Sequence, residues 1–470
     1  MKRIEQDPLG TMELDKSYPF GIHTRRAENN FKISGLQVDP DLFLALIQVK
    51  KAAAIANRKS GMLDSKLSDA IEKGCDYIID NLDSLVPDLD PYQGGAGTST
   101  NMAANELIAN MALQTMDKDF GEYDIVSPLD HVNLSQSTND CYPTALKIAI
   151  IKNLRELETA VRNMLQALQL KEKEFSPILK IGRTQLQDAL PISMGQEFGA
   201  WAESISRFRW RLEKSIEWIR EVNISGTAIG TSLNADPVYS GLVIDVLRKI
   251  IREPIALSRN LIDGTQNLDQ LVEVSGLIKS GAVSVKKISN DMRLLASGPA
   301  CGFNELILPK MQAGSSIMPG KSNPVILEAV IQVCFQIIGN DGIIAQAVSE
   351  SNLELPQYLP LVGHLILTNI KLFRNVLDGF DHHIKGIQVN KKTLDSNVNH
   401  SIAIATLLTP LLGYDRVSDI LASPKAREIG FIQYIKEEGI LTQEMLDQYL
   451  RPEIMASPGM PQIGDKNGEN

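Results

Sequence analysis

Cysteine is scarce in this chain, and the few residues present are widely separated. The 470 residues include four cysteines, Cys75, Cys141, Cys301 and Cys334, and none stands at a spacing typical of metal ligands. This pattern excludes a disulfide-stapled secreted domain and a zinc-binding motif. We interpret all four as buried, reduced thiols of a cytoplasmic protein, and we expect neither a bound metal nor another cofactor.

Positive charge is also in short supply. The chain has 47 Lys and Arg against 57 Asp and Glu, a net charge of −10. Such an acidic chain is not expected to bind nucleic acid or an anionic membrane surface. The first residues lack the apolar core of a signal peptide, and no run reaches the roughly 18 apolar residues of a membrane span. We therefore predict a cytoplasmic location without a membrane partner, with any anionic substrate held by local cations.

Aromatic residues are few, at 5%, so the hydrophobic content of 43% is mostly aliphatic and suits a helical protein. Apolar residues recur at threes and fours between Leu146 and Leu168, which predicts a long amphipathic helix. Similar long patterns cover 194–221, 268–297, 325–346 and 359–377. Helices of this length can bury their apolar faces only against one another, and the widest faces predict burial against other subunits as well.

The length predicts more than one domain, and the changes in pattern suggest three. Residues 1–135 are mixed and mostly helical, residues 136–385 carry the long helices of a central bundle, and residues 386–470 form a small C-terminal helical domain. The expected fold class is therefore mainly α. We interpret the adjacent His382 and His383 as surface residues, because no third metal ligand stands nearby.

Residues 314–325 combine two adjacent hydroxyls with one cation and one amide, but contain no histidine. Lys321 and Asn323 stand six and eight residues after Ser315, which Ser316 follows directly. Without an imidazole to activate a serine for acyl transfer, this set better suits carboxylate binding and proton abstraction. The alternative is a surface loop rich in Gly, Ser and Pro.

Other segments share this richness in hydroxyl and amide side chains, namely 97–101, 135–140, 182–189 and 226–231. With the 314–325 loop they resemble, in order and spacing, the signature blocks of the aspartase/fumarase superfamily. These lyases cleave a C–N or C–O bond beta to a carboxylate and release fumarate. The resemblance extends from about residue 21 to residue 452, nearly the whole chain.

The resemblance implies a mainly α, three-domain lyase fold whose central long-helix bundle forms the core of a homotetramer. It implies a small dicarboxylate substrate, held without a metal in sites composed from several subunits. Ser315 is expected to be the catalytic base, acting as an alkoxide. The carboxylate beside the abstracted proton then becomes an aci-carboxylate, which hydrogen-bond donors must stabilise. The expected substrate-binding residues are Thr98, Ser137, Thr138, Asn139, Thr184, Gln185, Ser316, Lys321 and Asn323.

Gln185 bears on the leaving group, because fumarase-type relatives have a histidine at this place. Loss of water needs a proton donor, whereas an ammonium group departs as neutral ammonia, and glutamine cannot deliver a proton. We therefore favour conversion of L-aspartate to fumarate and ammonia. The alternatives are a class II fumarate hydratase acting on L-malate, a sister amino-dicarboxylate lyase and a non-catalytic member.

Two further points leave alternatives open. For Thr98, Ser137 and Thr138 the alternative interpretation is helix capping alone, since hydroxyl residues are common before helices. The sequence also departs from the family pattern near the site, and these departures leave the substrate's identity open more than the reaction class. They are Ala103, Ala300, Ser322 and Pro356.

Overall fold

The computed structural model describes residues 1–401, 403–449 and 451–455. Helices account for 63% of the structure, which confirms the mainly α prediction. The α-helices are α1 (Ile22–Asn30), α2 (Pro40–Lys59), α3 (Ser65–Asp80), α4 (Leu82–Leu85), α5 (Thr98–Thr115), α6 (Thr138–Phe175), α7 (Met194–Trp218), α8 (Pro237–Ile251), α9 (Leu261–Gln266), α10 (Asp269–Leu295), α11 (Val325–Ser349), α12 (Leu359–Lys385), α13 (Lys391–His400), α14 (Ala403–Leu412), α15 (Tyr414–Ala422), α16 (Pro424–Ile429), α17 (Phe431–Glu437), α18 (Gln443–Tyr449) and α19 (Pro452–Met455).

Short strands form four two-stranded sheets in the described residues. Three pairs are antiparallel and β5 with β6 is parallel. The strands are β1 (Lys2–Asp7), β2 (Gly10–Asp15), β3 (Leu179–Thr184), β4 (Gln187–Ser193), β5 (Glu221–Val222), β6 (Ala256–Leu257), β7 (Leu306–Ile307) and β8 (Gln388–Val389).

The long helices lie where the hydrophobic period predicts them. The apolar stripe from Leu146 to Leu168 falls inside α6, and the other four patterns correspond to α7, α10, α11 and α12. α6 begins earlier than the stripe and contains Pro143. A proline has no N–H, so Pro143 cannot donate the helical hydrogen bond to the Asn139 carbonyl, four residues before it. The side-chain amide of Asn223 donates to this carbonyl instead, at 2.9 Å. A side chain thus replaces the missing helical hydrogen bond.

One compact unit comprises Met1–Glu158, Trp210–Ala282 and Phe335–Arg374. In it α2 packs against α3 and α8, and α3 packs against α5. Every residue of α5 from Thr100 to Leu113 is buried, so this helix lies at the centre of the unit.

The second unit comprises Thr159–Arg209, Val283–Cys334 and the described residues after Arg374. Here the β3–β4 hairpin packs against α13 and α14, and Ile181 of β3 joins the apolar core of the C-terminal helices. The boundaries between the units fall inside α6, α7, α10, α11 and α12. The three-domain division at 135/136 and 385/386 stays a prediction.

Two expectations about burial need correction. Cys75, Cys141 and Cys334 are buried as predicted, but Cys301 is exposed, because it lies in the loop between α10 and β7. His382 is exposed, yet His383 retains only 4% of its accessible surface. Successive residues of a helix point about 100° apart, so neighbours on α12 face different surroundings.

In the part of the chain that the structure describes, one helix is long and apolar enough to cross a membrane by length and composition alone. It is α11, and 33% of its most apolar window is buried within the chain.

Candidate active site

The predicted residues Ser137, Thr138 and Asn139 lie together where α6 begins. The Ser137 Oγ accepts a hydrogen bond from the Asn139 N–H at 3.2 Å, which is the capping geometry considered above. The Thr138 Oγ1 accepts from the Asn101 Nδ2 at 3.0 Å. A hydroxyl that accepts a hydrogen bond still has its own proton to donate. Each hydroxyl can therefore keep this contact and also donate to a substrate oxygen.

Thr98 is the first residue of α5, and Gly97 places it beside α6. Gly97 has φ of +96°, and a Cβ there would lie 2.5–2.7 Å from atoms of the Tyr142 ring. Only glycine therefore allows this approach of α5 to α6. The Thr98 side chain is exposed and donates to the Gly95 carbonyl at 2.7 Å.

The two helix N-termini are joined by the contact between Asn101 and Thr138. Each helix N-terminus carries partial positive charge from its free N–H groups, which favours a bound carboxylate. The structure thus brings the Thr98 and Ser137 segments together in a neighbourhood suited to an anion.

Thr184 and Gln185 lie at the tip of the β3–β4 hairpin, in the second unit, and both are exposed. Thr184 pairs with Gln187 across a two-residue turn, in which Gln185 and Leu186 have φ of +53° and +63°. Two successive positive φ values are typical of the type I′ turns that fit twisted hairpins. The Gln185 side chain is accordingly presented outward.

Strand β3 of this hairpin is fixed by a buried ion-pair cluster. The fully buried carboxylate of Glu305 accepts from the Arg183 Nη2 at 2.6 Å and lies 3.3 Å from the Lys180 Nζ. The Arg183 guanidinium also stacks on Phe303, with 4.4 Å to the ring centroid. Separating the strand from the 303–305 segment would leave the buried Glu305 charge without its partners, which is costly, so the cluster holds the two together.

The 314–323 loop is closed by its own hydrogen bonds. The Gly314 N–H donates to the Lys321 carbonyl, and the Asn323 Nδ2 donates to the Gly314 carbonyl, each at 2.9 Å. A Cβ at Gly314 would lie 2.5 Å from the Lys321 oxygen, so this closure requires glycine. Within the loop, the Ser315 Oγ accepts from the N–H groups of Ile317 at 3.2 Å and Met318 at 3.0 Å. Two backbone dipoles therefore point at the oxygen predicted to act as base.

A cavity of about 960 Å³ opens beside this loop. Lys321 and Asn323 line it, together with Arg293 and Lys310. Neither Ser315 nor Ser316 is among the lining residues, and Ser316 is exposed. The structure therefore brings the predicted cation and amide, but not the two hydroxyls, to the cavity wall.

Two residues of this environment had no signal that could be interpreted from the sequence. Arg293 lies near the end of α10 and Lys310 in the loop after β7, and only folding brings both to the cavity. Glu328 lines the same cavity, with its carboxylate 3.9 Å from the Arg293 guanidinium. Among the described residues, no group of three or more His, Cys, Asp or Glu could hold a metal ion.

Known proteins that are similar to this chain identify the class to which its mainly α fold belongs. A family model described as "Lyase" matches residues 10–339. The chain belongs to this lyase family, that of the aspartase/fumarase superfamily.

Individual relatives are similar over nearly their whole length. The chain is 44% identical to the aspartate ammonia-lyase of Pseudomonas canavaninivorans, with 97% of each chain covered. It is 41% identical to a solved Brucella melitensis structure described as fumarate lyase:delta crystallin bound to cobalt, with a TM-score of 0.93 and 97% and 100% of the two chains covered. A class II fumarase structure from Schistosoma mansoni is 31% identical, with a TM-score of 0.88 and the same coverage.

Proposed function

We propose that this protein converts L-aspartate to fumarate and ammonia. The observation that carries the proposal is the outward-facing Gln185, which offers a hydrogen-bonding amide but no proton at the place where fumarase-type relatives have an imidazole. The higher identity to an aspartate ammonia-lyase than to a class II fumarase, 44% against 31%, supports the same choice.

The second candidate is a class II fumarate hydratase, favoured by the close structural likeness to the Schistosoma mansoni enzyme. It would need an ordered water to supply the proton that Gln185 cannot provide. Gln185 is equally compatible with a sister lyase that releases ammonia from another amino-dicarboxylate. A non-catalytic role is disfavoured because Ser315, Lys321 and Asn323 all match the family pattern.

In the proposed mechanism, the Ser315 alkoxide removes a proton from the carbon beside the substrate's side-chain carboxylate. The electron pair moves into this carboxylate, which becomes an aci-carboxylate, and its return forms the double bond as the C–N bond breaks and ammonia leaves. A free serine hydroxyl is a weak base, so its anion must be stabilised. The N–H groups of Ile317 and Met318 already point at the Ser315 Oγ, which supports this role.

The binding roles follow the chemistry of each group. The aci-carboxylate would be surrounded by Thr98, Ser137, Thr138 and Ser316, where donors are needed most as the charge develops, and Asn139 would bind the substrate beside them. The free hydroxyl protons of Ser137 and Thr138, and the adjacent N-termini of α5 and α6, support this assignment. Lys321, Asn323 and Thr184 would hold the other carboxylate, with Lys321 supplying the opposite charge.

We further propose a homotetramer with four composite sites. α11 is mostly unburied within one chain, with Phe335 56% exposed and Ile343 46% exposed. Apolar surface of this kind is stabilised when it packs against other copies. A cytoplasmic location without membrane or nucleic-acid partners is proposed from the net charge of −10.

Ser315→Ala tests the mechanism. We expect kcat to fall by about three orders of magnitude or more with a small change in KM, since only the transition state loses its proton acceptor. Gln312→Ala, which changes an exposed polar side chain just before the same loop and away from the cavity lining, is the matched control and should retain kcat. Wild-type turnover in Ser315→Ala would exclude the serine base.

Complementation tests the composite sites. Mixed and reassembled chains of Ser315→Ala and Thr98→Ala should regain activity, because some sites would then contain neither change. An active monomer in sedimentation, or no recovery in tetramers shown to be mixed, would contradict this proposal.

A further inference from the structure

Asp140 lies in the first turn of α6, directly after the predicted substrate-binding residues, and has no exposed surface. Its two carboxylate oxygens have different partners. The Oδ1 accepts from the Ser137 N–H at 3.0 Å, and the Oδ2 accepts from the Thr227 N–H at 3.0 Å. One side chain therefore joins two segments that are far apart in sequence.

Two more hydrogen bonds reinforce this joint. The Asn139 Nδ2 donates to the Ala228 carbonyl at 2.7 Å, and the Asn223 Nδ2 donates to the Asn139 carbonyl at 2.9 Å. In the 223–228 segment, Thr227 has φ of +56°, a conformation that costs a residue with a Cβ free energy and persists only when its surroundings hold it. The carboxylate of Asp140 holds the N–H of this residue.

We propose that Asp140 is a positioning residue, whose ionised carboxylate clamps the 223–228 segment to the start of α6 and so sets the geometry of Ser137, Thr138 and Asn139. This inference rests on the proposed substrate-binding role of these three residues. Asp140 has no exposed surface, so it acts through these residues and not by contact with the substrate.

The clamp requires the ionised form. A carboxylate offers acceptors on both oxygens, whereas a protonated carboxyl presents a donor on one of them. That proton would face a backbone N–H, so either Ser137 or Thr227 would lose its partner. Protonation should therefore loosen the joint.

The surroundings of Asp140 place this change near neutral pH. Burial raises the pKa of Asp140 to about 7, against the lowering effect of its backbone N–H partners and of Lys50. Cys141, whose pKa is raised to about 11, and Tyr239, whose pKa is raised further, also face it and are uncharged at neutral pH. Burial lowers the pKa of Lys50, whose protonated form favours the carboxylate.

Asp140→Asn tests the clamp, because an amide has the carboxylate's shape but one acceptor oxygen. With L-aspartate at pH 8, kcat/KM should fall by about 10²-fold, the loss expected from a shift of about 1 Å in positioned groups. In the wild type, kcat/KM should fall as pH decreases through about 7, whereas this step should be absent from the variant. A purely structural residue would not change the pH profile.

Glu106→Gln is the matched control. Glu106 is also a buried carboxylate that accepts backbone N–H groups, those of Gly21 at 2.9 Å and His23 at 2.8 Å, but it serves the start of α1. Its variant should be less stable and keep both kcat/KM and the step near pH 7. An Asp140→Asn enzyme with wild-type kcat/KM, or with the step retained, would overturn the proposal.

If Asp140→Asn does not fold, amide hydrogen exchange of the wild type tests the clamp without a variant. After correction for the intrinsic rate, the amides of Ser137 and Thr227 should lose protection between pH 8 and pH 6, while those of α5 should not. Unchanged protection would overturn the clamp. Absence of L-aspartate turnover in the wild type would instead refute the proposed function, and the exchange result would still decide the role of Asp140.

Discussion

Gly97→Ala should disturb the site by a route that the structure specifies. The added Cβ would lie 2.5, 2.6 and 2.7 Å from three atoms of the Tyr142 ring, where ordinary contacts begin at 3.4 Å. Tyr142 is only 2% exposed, so its ring cannot swing into solvent. The start of α5, with Thr98, must instead move by a large fraction of an ångström.

Two costs add at this position. The positive φ costs about 1–3 kcal/mol for a residue with a Cβ, and the overlap with Tyr142 costs about 1–3 kcal/mol more. We expect the free energy of unfolding to fall by about 2–6 kcal/mol in urea denaturation. We also expect kcat/KM for L-aspartate to fall by up to about 10²-fold in the fumarate absorbance assay, because Thr98 is displaced.

Gly95→Ala separates the two costs. Gly95 also has a positive φ, of +78°, but its nearest neighbours are Thr98 side-chain atoms at 3.5 Å. The free energy of unfolding of this variant should therefore decrease only by the cost of the positive φ, and most of the activity should be retained. Equal losses of stability and activity in the two variants would refute the steric argument.

Three further predictions concern charge and the leaving group. Burial lowers the pKa of His383, whose ring nitrogens lack hydrogen-bond partners. The neutral ring therefore leaves the free energy of unfolding at its full value above about pH 6.5, the usual pKa of an unfolded histidine. The free energy of unfolding then decreases as the pH falls from there toward the lowered pKa. His383→Leu should remove this loss in urea denaturation at pH 5–7.5 and raise stability by about 1–3 kcal/mol, whereas the change at exposed His382 should do neither. Lys321→Ala should raise KM for L-aspartate by at least about tenfold in steady-state kinetics, because an ion pair to the substrate carboxylate is lost. The Lys310→Ala variant should raise KM less, and equal increases in the two variants would contradict the role assigned to Lys321. Gln185→His should retain L-aspartate deamination, measured as ammonia release. If this variant releases no ammonia from L-aspartate, the loss of ammonia requires the Gln185 amide.

The sequence predicted the long helices because each buries one face against others, which imposes a period on the chain. It did not predict the strands. For β5 to β8 the reason is their length, because strands of two residues have no period to detect. The burial of His383 was also missed, because a residue's identity does not reveal which face of α12 meets the core.

For the site, local motifs placed Ser137, Thr138 and Asn139 together because they are adjacent in the chain. The contacts that hold them, from Asn101, Asn223 and Thr227, come from other elements and depend on the fold. Single residues with a polar side chain carry no mark of such long-range pairing, so the partners had to be found in the structure.

The central claim is that this protein deaminates L-aspartate and does not dehydrate L-malate. The most direct measurement is fumarate absorbance with the purified enzyme and each substrate in turn, combined with an ammonia assay. We predict rapid fumarate formation from L-aspartate with one ammonia per fumarate, and a much lower kcat/KM for L-malate. Brisk turnover of L-malate with none of L-aspartate would contradict the account and establish the hydratase alternative.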